Sequence, residues 1–156
     1  MKLKELRMLY KITQERCAEY LGIPLRTYKR YESDETKIPK IKYDYILKKM
    51  NEFNPIDEEH GVLTIEVIEE ICKRIFEEYP VKYCYLFGSY AKEKATPTSD
   101  VDLLISTNIK GLKFYGLVEE IRETLHKRVD VLDINQLKGN LELTEEILKD
   151  GIKIYG

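Results

Sequence analysis

Between Asn51 and Gly61 the chain loses every hydrophobic period: Asn51-Glu-Phe-Asn-Pro-Ile-Asp-Glu-Glu-His-Gly61 sets polar residues around a proline and ends on glycine. Such a stretch continues neither a helix nor a strand, so the 156 residues divide there into two small folding units. The expected boundaries are a first domain over residues 1–52, a linker over 53–63 and a second domain over 64–156.

Ahead of that break the pattern is helical. Leu3, Leu6 and Tyr10 share one helical face. Thr13 is placed to cap a second helix that packs Cys17, Ala18 and Leu21 and stops at Gly22. Pro24 suits the first position of a third helix, where its fixed φ is already helical and no amide donor is needed. With Tyr28 and Tyr31 facing inward there, Arg26, Thr27, Lys29 and Arg30 face out. Tyr43, Ile46, Leu47 and Met50 mark a fourth helix. Beyond Gly61, helix and strand alternate. Ile68, Ile71, Cys72, Ile75, Phe76 and Tyr79 form a strong amphipathic helix ahead of Pro80, and Val81-Lys-Tyr-Cys-Tyr-Leu-Phe87 reads as a strand. Val101–Ser106 is a second strand, Phe114, Leu117, Val118, Ile121 and Leu125 a second helix, and Val129–Ile134 a third strand. A helix over Leu141–Asp150, capped by Gly151, and a short strand, Ile152–Tyr155, close the chain. The expected architecture is an α/β (α+β) domain with a small mixed sheet, preceded by an all-α domain.

Charge separates the same two halves. Residues 1–55 carry 13 Lys and Arg against 8 Asp and Glu, and residues 56–156 carry 13 against 20, so +5 stands beside -7. The basic half suits an anionic partner such as nucleic acid, and the acidic half suits bound metal ions. Cys17, Cys72 and Cys84 are odd in number, far apart and without CxxC spacing, which points to buried thiols rather than disulfides or a zinc site. No run approaches the roughly 18 apolar residues of a membrane span. The opening Met-Lys-Leu-Lys-Glu-Leu puts charges where a signal peptide has its apolar segment, so the expected location is the cytoplasm, away from membranes.

The chemistry concentrates after the strand that ends at Phe87. Gly88-Ser89 starts a turn whose backbone can approach a phosphate closely, although a Gly-Ser pair after a strand is most often only a turn. Asp100 and Asp102, two apart on a strand, point both carboxylates to one face. Mg2+ explains such a pair, because it prefers carboxylate oxygens together with substrate phosphates. Two solvated aspartates on an edge strand are the alternative, which fits the apolar Leu103–Ile105 poorly. Asp130, between Val129 and Val131, is the natural third carboxylate, while Asp133 falls on the opposite face as a strand-end or capping residue. Tyr90, directly after Ser89, is placed to line a nucleotide pocket. His60 and His126 read as surface residues, and the 12 tyrosines mostly as packing.

Leu86-Phe-Gly-Ser-Tyr-Ala-Lys92, ten intervening residues from Ser89 to Asp100, and then Asp100-Val-Asp-Leu103 resemble the minimal nucleotidyltransferase (MNT) pattern of the DNA polymerase β superfamily. The likeness covers residues 64–156. It implies that the Gly88-Ser89 turn, with Lys92 as its cation, holds the phosphates of ATP. It also implies that Asp100, Asp102 and Asp130 bind two Mg2+ ions and carry catalysis, Asp130 as ligand or general base. Where the family commonly has Arg-Gly, this chain has Lys92-Glu93: the positive charge stays, but the bidentate fork is lost and an anion is added.

Thr13-Gln14-Glu15 and Leu21-Gly-Ile-Pro-Leu-Arg-Thr-Tyr-Lys-Arg-Tyr-Glu32 resemble the repressor-type (Xre-like) helix-turn-helix. Carried over, Gln14 contacts backbone phosphate, Arg26 and Arg30 reach base edges, and Thr27 and Lys29 lie nearer phosphate. A helical domain used for protein docking is the alternative. Fusions of this kind resemble the antitoxins of HEPN/MNT toxin–antitoxin systems. That likeness implies transfer of AMP to a tyrosine of a HEPN ribonuclease toxin, autorepression at operator DNA, and a homodimer or a hetero-oligomer with the toxin. Two other readings stay open: a non-catalytic DNA-binding regulator, and a small-molecule nucleotidyltransferase, which the short chain disfavours.

Overall fold

A threonine and a glycine bound the second helix of the first unit. In the computed structural model, which describes residues 2–53 and 56–156, Thr13 Oγ1 accepts the Arg16 amide at 3.2 Å and opens α2 (Gln14–Leu21). Gly22 closes it in the left-handed region at φ 67°. Helix α1 covers Leu3–Leu9, α3 covers Leu25–Ser33 and α4 covers Lys40–Phe53, with a 3-10 turn at Glu35–Lys37. Pro24 is the cap residue just outside α3 rather than its first residue; its extended ψ of 142° leads the chain in. Tyr28 is fully buried and Tyr31 nearly so, with Leu3, Cys17, Ala18, Ile46 and Met50. The chain divides into two compact units, Met1–Ile56 and Asp57–Gly156. Of the linker expected over 53–63, Asn54 and Pro55 lie outside the described residues.

A near-buried ion pair joins the three short helices. Arg7 Nε donates to Glu32 Oε2 at 2.9 Å and Arg7 Nη2 to Glu32 Oε1 at 2.8 Å, a two-pronged geometry. Gln14 Nε2 adds a 3.3 Å bond to Glu32 Oε1. The Glu32 side chain is only 5% exposed. Burial pushes its carboxyl up, but the bonds from Arg7 and its neighbours outweigh that and leave it below the ordinary carboxylate value. Glu32→Ala, which strands a half-buried guanidinium, is expected to destabilise this unit by about 3 kcal/mol in urea or thermal unfolding. The depressed folded-state value makes the stabilisation full at neutral pH and lost as pH falls through the carboxylate range. An unchanged midpoint would rule out this role for the pair.

The second unit is a four-stranded mixed sheet with helices on both faces. Thr64 Oγ1 accepts the Val67 amide at 3.2 Å and opens α5 (Ile65–Phe76). Next come β1 (Val81–Phe87), the single turn α6 (Gly88–Ala91), β2 (Val101–Thr107), α7 (Leu112–Leu125), β3 (Val129–Asp133), α8 (Leu141–Asp150) and β4 (Ile152–Tyr155). The sheet order is β3-β2-β1-β4. Strand β1 runs antiparallel to both neighbours, while β2 and β3 are parallel, which requires the α7 crossover between them. Asp133 ends β3 and caps a 3-10 turn, its amide donating to Gln136 Oε1 at 2.8 Å.

Strand alternation assigns the sheet faces. Phe87 and Leu104 form a cluster with Ile147 of α8, joined by Leu132 and Leu143. Leu103 and Ile105 therefore project to the other face, where α5 and α7 bury Ile68, Ile71, Leu117 and Ile121. Asp102 lies two residues before Leu104 and Asp130 two before Leu132, so both share the α8 face. The three cysteines are free and buried, and burial pushes the Cys72 thiol up to about 12. Among the described residues no helix is long and apolar enough to cross a membrane.

Candidate functional site

Register places the carboxylates. On β2, Asp102 is paired with Asp130 of parallel β3 and with Phe87 of antiparallel β1, the residue before Gly88. The Gly88-Ser89 turn and two carboxylate-bearing strands thus meet at one end of the sheet. Asp100 precedes the first residue of β2 and is partly exposed, Asp102 is half-buried, and Asp130 is exposed. Burial is the main force pushing the Asp102 carboxyl up to about 6, and the negative charges of Asp130, Asp100 and Glu146 add to it. A carboxylate so placed lacks compensating positive charge.

Gly88 sits at φ 70°, and a Cβ there would collide with the Asp102 carboxylate. The sequence offers glycine here as room for a phosphate to come close; the structure gives a reason of its own, the close approach of Asp102. From Gly88 onward the chain forms the single helical turn α6 instead of an open turn. Ser89 is half-buried, whereas Tyr90 is 2% exposed and packs in the core rather than along an open nucleotide pocket. Lys92 caps α6, and its Nζ lies 2.6 Å from Glu146 Oε1 of α8. Glu93 is next at φ 56°, a backbone region that favours glycine.

Three charged residues that the motifs do not include, two at the surface and one buried, help to build this region. Arg128 Nε donates to Asp100 Oδ1 at 3.0 Å and its Nη2 to the Thr98 carbonyl at 3.3 Å. Lys127 is fully buried, and its Nζ donates to the carbonyls of His60, Gly61 and Pro97 at 3.0, 2.7 and 2.6 Å. It ties the loop before Asp100 to the segment before α5. Glu146 is the third. The adjacent Lys127-Arg128 before a carboxylate-bearing strand is a visible signal; nothing local marks Glu146 among the other acidic residues of α8.

Among the described residues, no three carboxylate, imidazole or thiol groups are drawn together as a ready metal cluster. Asp100 is turned onto Arg128 instead. The donor set nonetheless suits a hard divalent cation: oxygen ligands on neighbouring strands, with the central one raised by burial and by the neighbouring negative charges. Neither histidine joins it. His60 Nδ1 lies 2.8 Å from Asp57, and His126 is exposed at the end of α7.

In the helical unit, Arg26, Lys29 and Arg30 are exposed on α3, and Thr27 is half-buried. With Ser33 they line one recess. The Arg30 guanidinium lies 5.5 Å from the Tyr31 ring centre, which steadies it at the surface. Gln14, expected at a phosphate, is engaged with Glu32.

The chain matches two family models, "Polymerase beta, Nucleotidyltransferase" over residues 69–156 and "Helix-turn-helix" over residues 3–43. It is 36% identical over 90 residues to the protein adenylyltransferase MntA of Thermococcus cleftensis, covering 54% of this chain and 91% of that one. It is 35% identical over 74 residues to a candidate protein adenylyltransferase of Methanocaldococcus jannaschii, covering 46% and 76%. A solved chain from a structure described as a tri-AMPylated Shewanella oneidensis HEPN toxin in complex with MNT antitoxin aligns at a TM-score of 0.45 and 18% identity, over 58% of this chain and 71% of that one.

Proposed function

The chain belongs to the polymerase β nucleotidyltransferase family, with a helix-turn-helix ahead of that domain, and from this premise we propose that it is an antitoxin-type protein adenylyltransferase. It transfers AMP from ATP to a tyrosine of a HEPN ribonuclease toxin and represses its own operator. The observation that carries the catalytic half is the strand register that sets Asp102 beside Asp130 and against Gly88. The relatives named for protein adenylylation support the acceptor class.

Asp100, Asp102 and Asp130 would hold Mg2+, which when bound supplies positive charge to the phosphates. The chain's own part is positional. Gly88 leaves room for Asp102, the Ser89 hydroxyl and neighbouring amides offer donors to the phosphates, and Lys92 offers a cation. Asp130, the most exposed of the three, is placed to take the proton of an attacking hydroxyl as pyrophosphate leaves in line. Incubation with α-labelled ATP, Mg2+ and a HEPN toxin should label the toxin on tyrosine. Label on neither protein defeats the catalytic reading. The engagement of Lys92 with Glu146 favours a second reading, a DNA-binding regulator without transfer, and the same experiment decides between them.

The exposed Arg26, Lys29 and Arg30 support DNA binding by α3. Arg26→Ala and Arg30→Ala are each expected to weaken binding to the protein's own promoter by about 1–3 kcal/mol where the side chain meets a base. Lys29→Ala should weaken all sequences alike and reduce the salt dependence. Wild-type binding without salt sensitivity sinks the claim.

A further inference from the structure

Two surface cations at this end of the sheet are each held by a carboxylate: Arg128 by Asp100, and Lys92 by Glu146. The second pair joins the end of α6, the turn that starts at Gly88-Ser89, to α8. We propose that Glu146 is a specificity-determining gate residue: it occupies Lys92, and a ligand gains that lysine only by presenting enough negative charge to displace a carboxylate, as a triphosphate does and a monophosphate does not. This rests on the reading that the Gly88–Lys92 turn receives the phosphates of a nucleotide.

The geometry is that of a contact made to be exchanged. Lys92 Nζ and Glu146 Oε1 are 2.6 Å apart, yet both side chains are 34% exposed, so water and an incoming anion reach the pair directly. A partly exposed pair of this kind can be broken by a competing anion at a modest cost, which a triphosphate meets more readily than a monophosphate. Arg in place of Lys92 could grip a carboxylate and a phosphate on separate edges of its planar fork; the compact ammonium on its flexible stem can swing from one partner to the other. Sequence separation of 54 residues hides the pair from any local reading.

The test is calorimetric titration of the full chain, with Mg2+, using a non-hydrolysable ATP analogue and AMP. The variants are Glu146→Gln, Lys92→Met and the double substitution, each checked for wild-type circular dichroism. Glu146→Gln is expected to tighten binding of the ATP analogue about fivefold, which is about 1 kcal/mol. It should narrow the preference for triphosphate over AMP. Lys92→Met should weaken the analogue by a similar factor, and the gain from Glu146→Gln should largely vanish in the Lys92→Met background. Wild-type binding with no gain in Glu146→Gln, or a full gain kept without Lys92, overturns the gate and leaves the phosphate site standing. No saturable binding by any of the four proteins defeats the phosphate site itself, and the gate with it.

Discussion

Asp102→Asn is expected to lower AMP transfer roughly 10³-fold or more, the scale on which one group stabilising developing charge acts, and to raise the melting temperature of the metal-free protein at pH 7.5. The two effects share one cause. Asp102 is half-buried beside Asp130, Asp100 and Glu146, and its carboxyl is pushed up to about 6, whereas an unfolded aspartate titrates near 3.9. Between those values the folded protein binds a proton that the unfolded chain does not. Stability therefore falls as pH rises through this window, and the whole penalty is present above about 6. Asparagine removes it. The measurement is a pair of melting curves in chelator, at pH 4.5 and 7.5: the wild type should lose stability between them through this group, and the variant should lose less. A variant that melts lower than wild type at pH 7.5 shows that Asp102 is not held against its charge. Asp100→Asn should cost activity without this gain in stability, because its carboxylate already has Arg128 at 3.0 Å.

How much of this was legible in the sequence depends on how far apart the interacting residues lie. Helix ends marked by Thr13 and Gly22, and strands such as Val81–Phe87, were readable because their signals act within one turn or one strand. The spacing of Asp100 and Asp102 suggested a common strand face, but β2 begins at Val101, so Asp100 lies just outside it and meets Arg128. That Asp130 stands beside Asp102 needed the parallel register of β2 and β3, which depends on the length and packing of α7. The partners Glu146 and Arg128 lie 54 and 28 residues from the groups they bind; the Lys127-Arg128 pair is at least visible ahead of its strand, but nothing local distinguishes Glu146 from a solvated charge. Tyr90 shows the opposite failure. Its neighbour Ser89 suggested a pocket-lining ring, but a single helical turn at Gly88–Ala91 rotates it into the core.

Gly88→Ala is the second substitution with a large expected effect, and its controls separate two costs that coincide at this residue. The first is conformational. At φ 70° a side chain is in the left-handed region, which costs about 1–2 kcal/mol. Gly139 measures that part alone in the same unit, since it sits at φ 80° with nothing within 4 Å of where its Cβ would be. The second is the collision of the new methyl with the Asp102 carboxylate. Asp102 lies on β2 between two paired strands and cannot retreat along the backbone, so the methyl moves the side chain itself. Gly88→Ala should therefore destabilise the unit by about 2–4 kcal/mol. It should also lower transfer about 100-fold or more, because displacing a reacting group by roughly 1 Å costs that much. Gly139→Ala should show the conformational part only, with transfer unchanged. Combining Gly88→Ala with Asp102→Ala empties the space the methyl needs, so the stability loss on adding Gly88→Ala to that background should shrink to the Gly139→Ala value. If it does not, the glycine is required by backbone conformation alone, and the contact with Asp102 carries no energetic weight.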